Sequence, residues 1–572
     1  MNTIAVIVAR LNSSRLKGKH FLPLPSNAQG GTLKLIDHII RRLNKCTEID
    51  EICLATTAEK HNQPLLDWAG QKGLYCPRFE GDPSDVVGRV DAIVEECKPD
   101  FVAFISGDCP LIDPAFIDSA LFELKKTMSD SVSLADSVKS LHEGMDFFSF
   151  KGWKKLVQNS KNLIEREHVG YQKRHHSNLK ITTITDVYDF SKITHRISVD
   201  TKADYDFIYE IYKRWYSQNS VEKIVDLRWV QNQIVNDKQL SALNQHVVQR
   251  NALEKYESVN LYCHVSKDIG LGHFKRCEII ASTLTERLGL GVCIHAYSEN
   301  KFKINPCIPV TFYNSEKGLK QAMNQDNADI IIIDFNLKFL KDPNTYKTIL
   351  KNLKKTNKSI VGIDNLYPFI DALHFLYVPS FQKQIDNRKV ISGWDTYLFK
   401  SRARTKKSKT ILILTGGSDA LGYGKVLPEI LENYETFYEI IWVQGPLADR
   451  PVLKNKSNIN LIYDPNDITD LLERAEIVIS AYGISFFEAL FRECATILLP
   501  SHGLISQDEM RELEKVDCCL IARTLPEVIY RLKQLEENTL VRDNILHENR
   551  KNFKDKTGLD KFTCLIDYLR KL

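Results

Sequence analysis

Short apolar runs alternate with stretches of helical period along most of the chain. Thr3–Ala9, Glu51–Thr56, Phe101–Ser106, Val259–Val265, Asp329–Ile333, Ser359–Ile363, Thr410–Leu414, Glu439–Val443 and Ile477–Ser480 are the strand candidates. Most are rich in β-branched residues, bounded by Gly, Asp or Pro, and separated by enough chain for a crossover helix. That pattern predicts an α/β protein built on parallel sheets. No low-complexity segment and no short repeat interrupts it.

Two breaks divide the pattern. Residues 237–256 are polar and helix-prone, and a new strand-loop-helix unit opens near Val259. Ser401–Lys409 is a basic run without a large apolar residue, read as a solvated hinge rather than a binding patch. With 572 residues the chain exceeds one core. The expected division is a domain at 1–240, a linker at 241–258, a Rossmann-like lobe at 259–400 and a second lobe at 401–572.

Composition removes several function classes. The net charge is +4, from 77 basic and 73 acidic residues, which gives no footprint for nucleic acid or a membrane surface. The 13 cysteines are odd in number and scattered, as in a reducing cytosol. Residues 1–9 read as a buried strand rather than a signal peptide. No apolar run approaches the roughly 20 residues of a membrane helix. The expectation is a cytoplasmic protein without membrane insertion, with homo-oligomerisation left open.

The first strand runs into Arg10-Leu11-Asn12-Ser13-Ser14-Arg15-Leu16-Lys17-Gly18-Lys19. Four cations, serines and a glycine at the end of a parallel strand suit the phosphates of a nucleoside triphosphate, although GxxxxGK[ST] is absent. Phe101–Ser106 delivers Asp108 at its tip, within Gly107-Asp108-Cys109-Pro110-Leu111. Asp200, at the end of a strand through Ile197–Val199, is a second candidate, with Asp204 one turn later. Asp108 and Asp200 are the expected Mg²⁺ ligands. Turn or helix capping is the commoner fate of such aspartates.

Together with Ala55-Thr56-Thr57, Gly81…Asp85-Val86…Arg89, Gly144-Met145-Asp146, Arg166-Glu167-His168-Val169 and Arg196-Ile197-Ser198-Val199-Asp200-Thr201, these motifs resemble the spore-coat-polysaccharide type of cytidylyltransferase. Those enzymes are relatives of the CMP-sialic acid and CMP-Kdo synthetases, and the likeness spans about residues 3–215. The resemblance implies a GT-A-like fold that couples CTP to an acidic sugar. It makes Arg15 and Lys19 the holders of the departing phosphates, with Arg10 a further candidate. Asp85, Arg89, Asp146 and His168 become substrate contacts. This chain departs from the family at Lys17, at Glu80 and in the insertion Pro25–Gly31.

The second half carries its own glycine motifs. Val259–Val265 leads into Ser266-Lys267-Asp268-Ile269-Gly270-Leu271-Gly272-His273-Phe274-Lys275-Arg276, then a helix whose N-terminus favours anions and a neutral His273. Thr410–Leu414 leads into Thr415-Gly416-Gly417-Ser418-Asp419, and Ile477–Ser480 into a glycine turn before Ser485 and Glu488. Ser485 with nearby amides suits a pyrophosphate, and Glu488 the hydroxyls of a ribose. A capping Ser with an acidic first turn is the plain alternative.

With Asp334 and Gln507, these motifs resemble the UDP-sugar hydrolase of the pseudaminic acid pathway, a relative of GT-B glycosyltransferases, over roughly 259–530; Ser506 stands where that family has Asn. The resemblance implies a GT-B-like pair of Rossmann-type lobes that removes UDP from a diacetamido-trideoxyhexose without a metal. His273 would assist water, with Asp268, Gly272 and Arg276 nearby. Gly417, Asp419, Ser485, Glu488 and Gln507 would form the nucleotide-binding side. Both halves then fit nonulosonic acid biosynthesis in one bifunctional chain. The alternatives are a glycosyltransferase in the second half, or one half reduced to a non-catalytic nucleotide-binding module.

Overall fold

The computed structural model describes residues 1–572 except 14, 136–140, 143, 171–172, 174–177, 187, 191–194, 249–256, 267–268, 299–307, 357, 382–386, 401–405, 455–456, 466–467, 502–504, 506, 554–557 and 572. The chain divides into two compact units, Met1–Tyr256 with Thr285–Gly289, and Glu257–Leu284 with Leu290–Leu572.

The first unit is a mixed sheet in the order Arg78–Phe79, Glu51–Thr57, Thr3–Val8, Phe101–Ser106, Met145–Ser149, Ser131–Leu134, Ile181–Ile184. Thr3–Val8 pairs in parallel with both of its neighbours, and Met145–Ser149 runs antiparallel to Phe101–Ser106. Ile4, Val6, Val102 and Phe148 pack under Val87, Val90 and Ile93 of the helix Val86–Cys97. The insertion at 25–31 is the turn of a hairpin between Pro23–Pro25 and Thr32–Lys34, closed by Asn27 accepting from the Gly31 N–H at 2.7 Å.

The second unit holds two wholly parallel sheets. One runs Val310–Tyr313, Gly291–Tyr297, Ser258–His264, Ile330–Asp334, Ser359–Ile363, Phe375–Pro379, Val390–Gly393. The other runs Ile459–Tyr463, Glu439–Gln444, Ser408–Leu414, Ala475–Ser480, Ala495–Leu498, Leu520–Ile521. Their central strands are buried on both faces and so read as apolar runs; Ile330, Ile331, Ile332 and Ile333 are each buried, worth about 2 kcal/mol apiece. These are the two Rossmann-type lobes that the alternation predicts.

Three expectations need correction. Residues 197–201 form no strand: the segment bends at Ser198 and Thr201, and its Val199 N–H donates to the Asp108 carbonyl at 2.8 Å. The basic run does not stay outside the second sheet, because Ser408 and Lys409 begin the strand Ser408–Leu414; residues 401–405 lie outside the described ones. Nor does the second lobe own all of 401–572. The last helix, Gly558–Leu569, packs on the first lobe, where the Tyr377 hydroxyl donates to the Gly558 carbonyl at 2.7 Å and Phe562 meets the Tyr377 ring edge-on. No described helix is long and apolar enough to cross a membrane, and the cysteines described are free thiols.

Candidate functional site

In the three large sheets strand order reverses beside the first strand of the fold, the point at whose C-terminal strand ends an open α/β sheet forms its crevice. The candidate residues gather at these points.

In the first unit the crevice lies between Thr3–Val8 and Phe101–Ser106. The loop after Val8 ends at Gly18 and turns into a short helix at Lys19–Phe21. Gly107 lets the second loop pass close to it: a Cβ there would stand 2.7 Å from the Val8 carbonyl oxygen and 3.2 Å from His20 Nδ1. Lys19 Nζ consequently reaches Asp108 Oδ2 at 2.6 Å and Asp200 Oδ1 at 2.7 Å. Asp200 also meets Arg15 Nη2 at 3.0 Å, and Arg196 four residues before it. Ser106 donates to Asp108 Oδ1 at 2.6 Å.

The electrostatics follow from this packing. Burial opposes ionisation of Asp108, but the Lys19 ammonium and the Ser106 hydroxyl overcome it and hold the carboxyl well below the usual range. Burial lowers Lys19, and Arg15 and Arg196 pull the same way against Asp108. His20 is lowered to about 4 by burial and by Lys19, so it is neutral and donates from Nδ1 to the Gly107 carbonyl at 2.7 Å.

Two carboxylates converging on one cation form the kind of donor set a hard divalent ion shares with phosphate oxygens and water. Among the described residues no three His, Cys, Asp or Glu side chains cluster as metal ligands. The protein's share would be Asp108 and Asp200, and these fit Mg²⁺ once Lys19 turns toward phosphate. Asp204 does not join them. It is fully buried in a capping box with Thr201 and accepts from Asn244 at 3.1 Å.

The remaining candidates of this unit sit nearby in varied states. Asp85 caps the helix Val86–Cys97 through the Gly88 N–H and pairs with Arg166 at 2.7 Å. Arg10 donates to the Pro83 carbonyl at 3.3 Å. Arg89 is buried, and its Nε and Nη1 have no hydrogen-bond partner among the described residues. Burial and the neighbouring Arg10 lower it to about 10. Such a guanidinium is a ready anion site. Asp146 pairs with Lys173 at 2.8 Å, while His168, Lys17 and Glu80 are exposed. Arg196 was legible four residues before Asp200; Lys173 and Ser106 carry no comparable signal.

In the second unit the helix Gly272–Leu288 starts at the glycine motif, placing His273 in its first turn and Arg276 one turn on. Asp334, at the tip of the adjacent strand, is fully buried and meets both. His273 Nδ1 lies 2.7 Å from Asp334 Oδ1, and Arg276 grips Asp334 through Nε at 2.7 Å and Nη2 at 2.6 Å. A carboxylate only accepts, so the proton sits on Nδ1 and leaves Nε2 as the basic nitrogen. Burial resists the charge on Asp334, but Arg276 and His273 lower it to about 2. The carboxylate, beyond the helix terminus invoked from sequence, therefore sets this imidazole's tautomer.

The two lobes meet at their glycine turns. A Cβ on Gly417 would lie 3.0 Å from Leu271 Cβ, and one on Gly272 would lie 3.3 Å from Ile484 Cδ1. Ser485 is half-buried in the helix Ile484–Phe491 and Gln507 is exposed at the start of Gln507–Val516. Asp419 spends both oxygens capping Tyr423–Glu432, on the N–H groups of Tyr423 and Gly424 at 3.0 and 2.7 Å. Glu488 pairs at 3.0 Å with Arg492, a fully buried residue that also holds Glu473. Asp268 and Ser506 lie outside the described residues.

Residues 4–250 match the Cytidylyltransferase family. The spore coat polysaccharide biosynthesis protein SpsF of Bacillus subtilis is 24% identical over 227 residues, covering 37% of this chain and 88% of that protein. The 3-deoxy-manno-octulosonate cytidylyltransferase of Geotalea daltonii is 27% identical over 147 residues, covering 25% of this chain and 53% of that protein. Among solved structures, MurG of Acinetobacter baumannii covers 54% of this chain and 99% of its own, with 14% identity and a TM-score of 0.36.

Proposed function

Taking as premise that residues 4–250 match the Cytidylyltransferase family, we propose that the first unit transfers CMP from CTP to a 3-deoxy-2-keto sugar acid. The anomeric oxygen of the sugar bonds to the α-phosphorus, the bond to the β-phosphate oxygen breaks, and pyrophosphate leaves. The observation that carries this reading is the convergence of Asp108, Asp200, Lys19, Arg15 and Arg196 at one strand-end crevice. Asp108 and Asp200 would hold Mg²⁺, which when bound neutralises phosphate charge.

The chain's own groups do the rest. Lys19, drawn off the carboxylates, and Arg15 bind the departing phosphates. Buried Arg89, with Nε and Nη1 uncommitted, suits an anionic group of the nucleotide or the sugar acid. The test is pyrophosphate release from CTP with a panel of 3-deoxy-2-keto acids, with ATP, GTP and UTP as controls. Release with CTP and one class of acid is expected; no release with any pair would overturn the reading.

For the second unit the proposal is cleavage of a UDP-diacetamido-trideoxyhexose to UDP and free sugar, which makes the chain a bifunctional enzyme of nonulosonic acid biosynthesis. Support comes from the His273–Asp334 pair beside a helix N-terminus and opposite the glycine turns of the other lobe. His273 Nε2 would take the proton of the attacking water. The same pair suits transfer to an acceptor hydroxyl. UDP release that requires an added acceptor would establish transfer in place of hydrolysis.

A further inference from the structure

Asp364 was not among the candidates read from sequence, yet it stands beside them. It follows the strand Ser359–Ile363, the neighbour of Ile330–Asp334, so Asp334 and Asp364 leave adjacent parallel strand ends. Arg276 Nη2 spans them, at 2.6 Å from Asp334 Oδ1 and 2.9 Å from Asp364 Oδ2. The two carboxylates differ in exposure: the Asp334 side chain is 0% exposed and that of Asp364 is 31% exposed. One Arg276 charge against two carboxylates leaves the cluster with an excess of negative charge at its open side.

Asp364 has φ of +69°, a conformation glycine adopts without cost. It is held there by its N–H donating to Tyr377 O at 2.9 Å and its carbonyl accepting from Leu366 N at 2.8 Å. These two bonds fix the turn from which the Asp364 side chain leaves the strand end.

We propose that Asp364 is the sugar-recognising carboxylate of the second unit: it accepts an O–H or N–H from an uncharged sugar carried on a nucleoside diphosphate. Arg276 holds it there, next to the His273–Asp334 pair. An acceptor-only group repels phosphate and rewards hydroxyl and amide donors, so it selects the sugar and not the diphosphate. The inference rests on the nucleotide-sugar reading of this unit and narrows it, because an acidic sugar is disfavoured at a site with excess negative charge.

The test compares UDP with UDP-2,4-diacetamido-2,4,6-trideoxyhexose by calorimetry on the full chain. Asp364→Asn retains a residue that tolerates this backbone, and Asp364→Gly relaxes it. Both variants are expected to bind UDP within twofold of wild type and to lose about tenfold or more in affinity for the UDP-sugar. Equal loss for both ligands, or no loss for either, would overturn the assignment, as would a wild type that binds the UDP-sugar no more tightly than UDP. A wild type that binds neither ligand would remove the nucleotide-sugar reading itself, and the inference with it. Thermal unfolding close to wild type for Asp364→Asn keeps a folding defect from imitating the result.

Discussion

Lys19 Nζ lies 2.7 Å from Asp200 Oδ1 although 181 residues separate them along the chain. The ammonium occupies the point where two carboxylates and a divalent ion would otherwise meet. Lys19→Met is expected to lower pyrophosphate release by about 10²–10³-fold, the usual cost of one transition-state donor. It should also make Mg²⁺ raise the unfolding temperature more than it does in wild type, because two carboxylates are left facing each other. A thermal shift scan with and without Mg²⁺ checks this; an equal shift in both proteins would count against a shared cation point.

The two units carry separate chemistry in this reading. Asp108→Asn should abolish CMP-sugar formation and leave UDP release at the wild-type rate. Assaying both reactions on one preparation decides it. Failure of both together would count against independent sites.

His20 supplies a pH dependence. Its folded value is about 4 against 6.5 for an ordinary histidine, with burial the main cause. Below pH 6.5 the unfolded chain takes up a proton that the folded chain refuses. Stability therefore falls as pH drops from 6.5 to about 4, by about 3 kcal/mol in total for this one group. His20→Asn keeps a donor for the Gly107 carbonyl and should flatten that part of the profile. Urea unfolding at pH 7.0, 5.5 and 4.5 on both proteins measures the difference.

Asp334 orients His273, so Asp334→Asn should lower UDP release by about 10²–10⁴-fold with UDP binding largely retained. His273→Ala should fall by a similar factor, and the double variant no further, because the two residues act as one unit. Near-normal release by His273→Ala would take the imidazole out of the reaction.

Much of this protein was legible along the chain. Strands buried on both faces must be apolar runs, and crossover helices must separate parallel strands, so Thr3–Val8, Phe101–Ser106 and Ile330–Asp334 announce themselves within a residue or two. The glycine motifs mark strand ends because a chain leaving a parallel strand for its crossover helix turns tightly there. Composition, from the near-balanced charge to the scattered cysteines, also needs no coordinates.

Other features had no local signature. The segment before Asp200 pairs with no described strand, which its β-branched residues could not reveal. The return of Gly558–Leu569 to the first lobe depends on an apolar face far away in sequence. Asp85, Asp419 and Glu488 have ligand-like surroundings in the motifs, yet each is engaged by a helix end or an arginine. A carboxylate's role is set by which donor reaches it first, and that is a matter of distance in space. The sequence by itself determined two α/β units with charged and glycine-rich strand ends. Only the tertiary structure decided that Lys19 joins Asp108 to Asp200 and that Arg276 joins Asp334 to Asp364, because parallel sheets bring together strand ends that lie far apart along the chain.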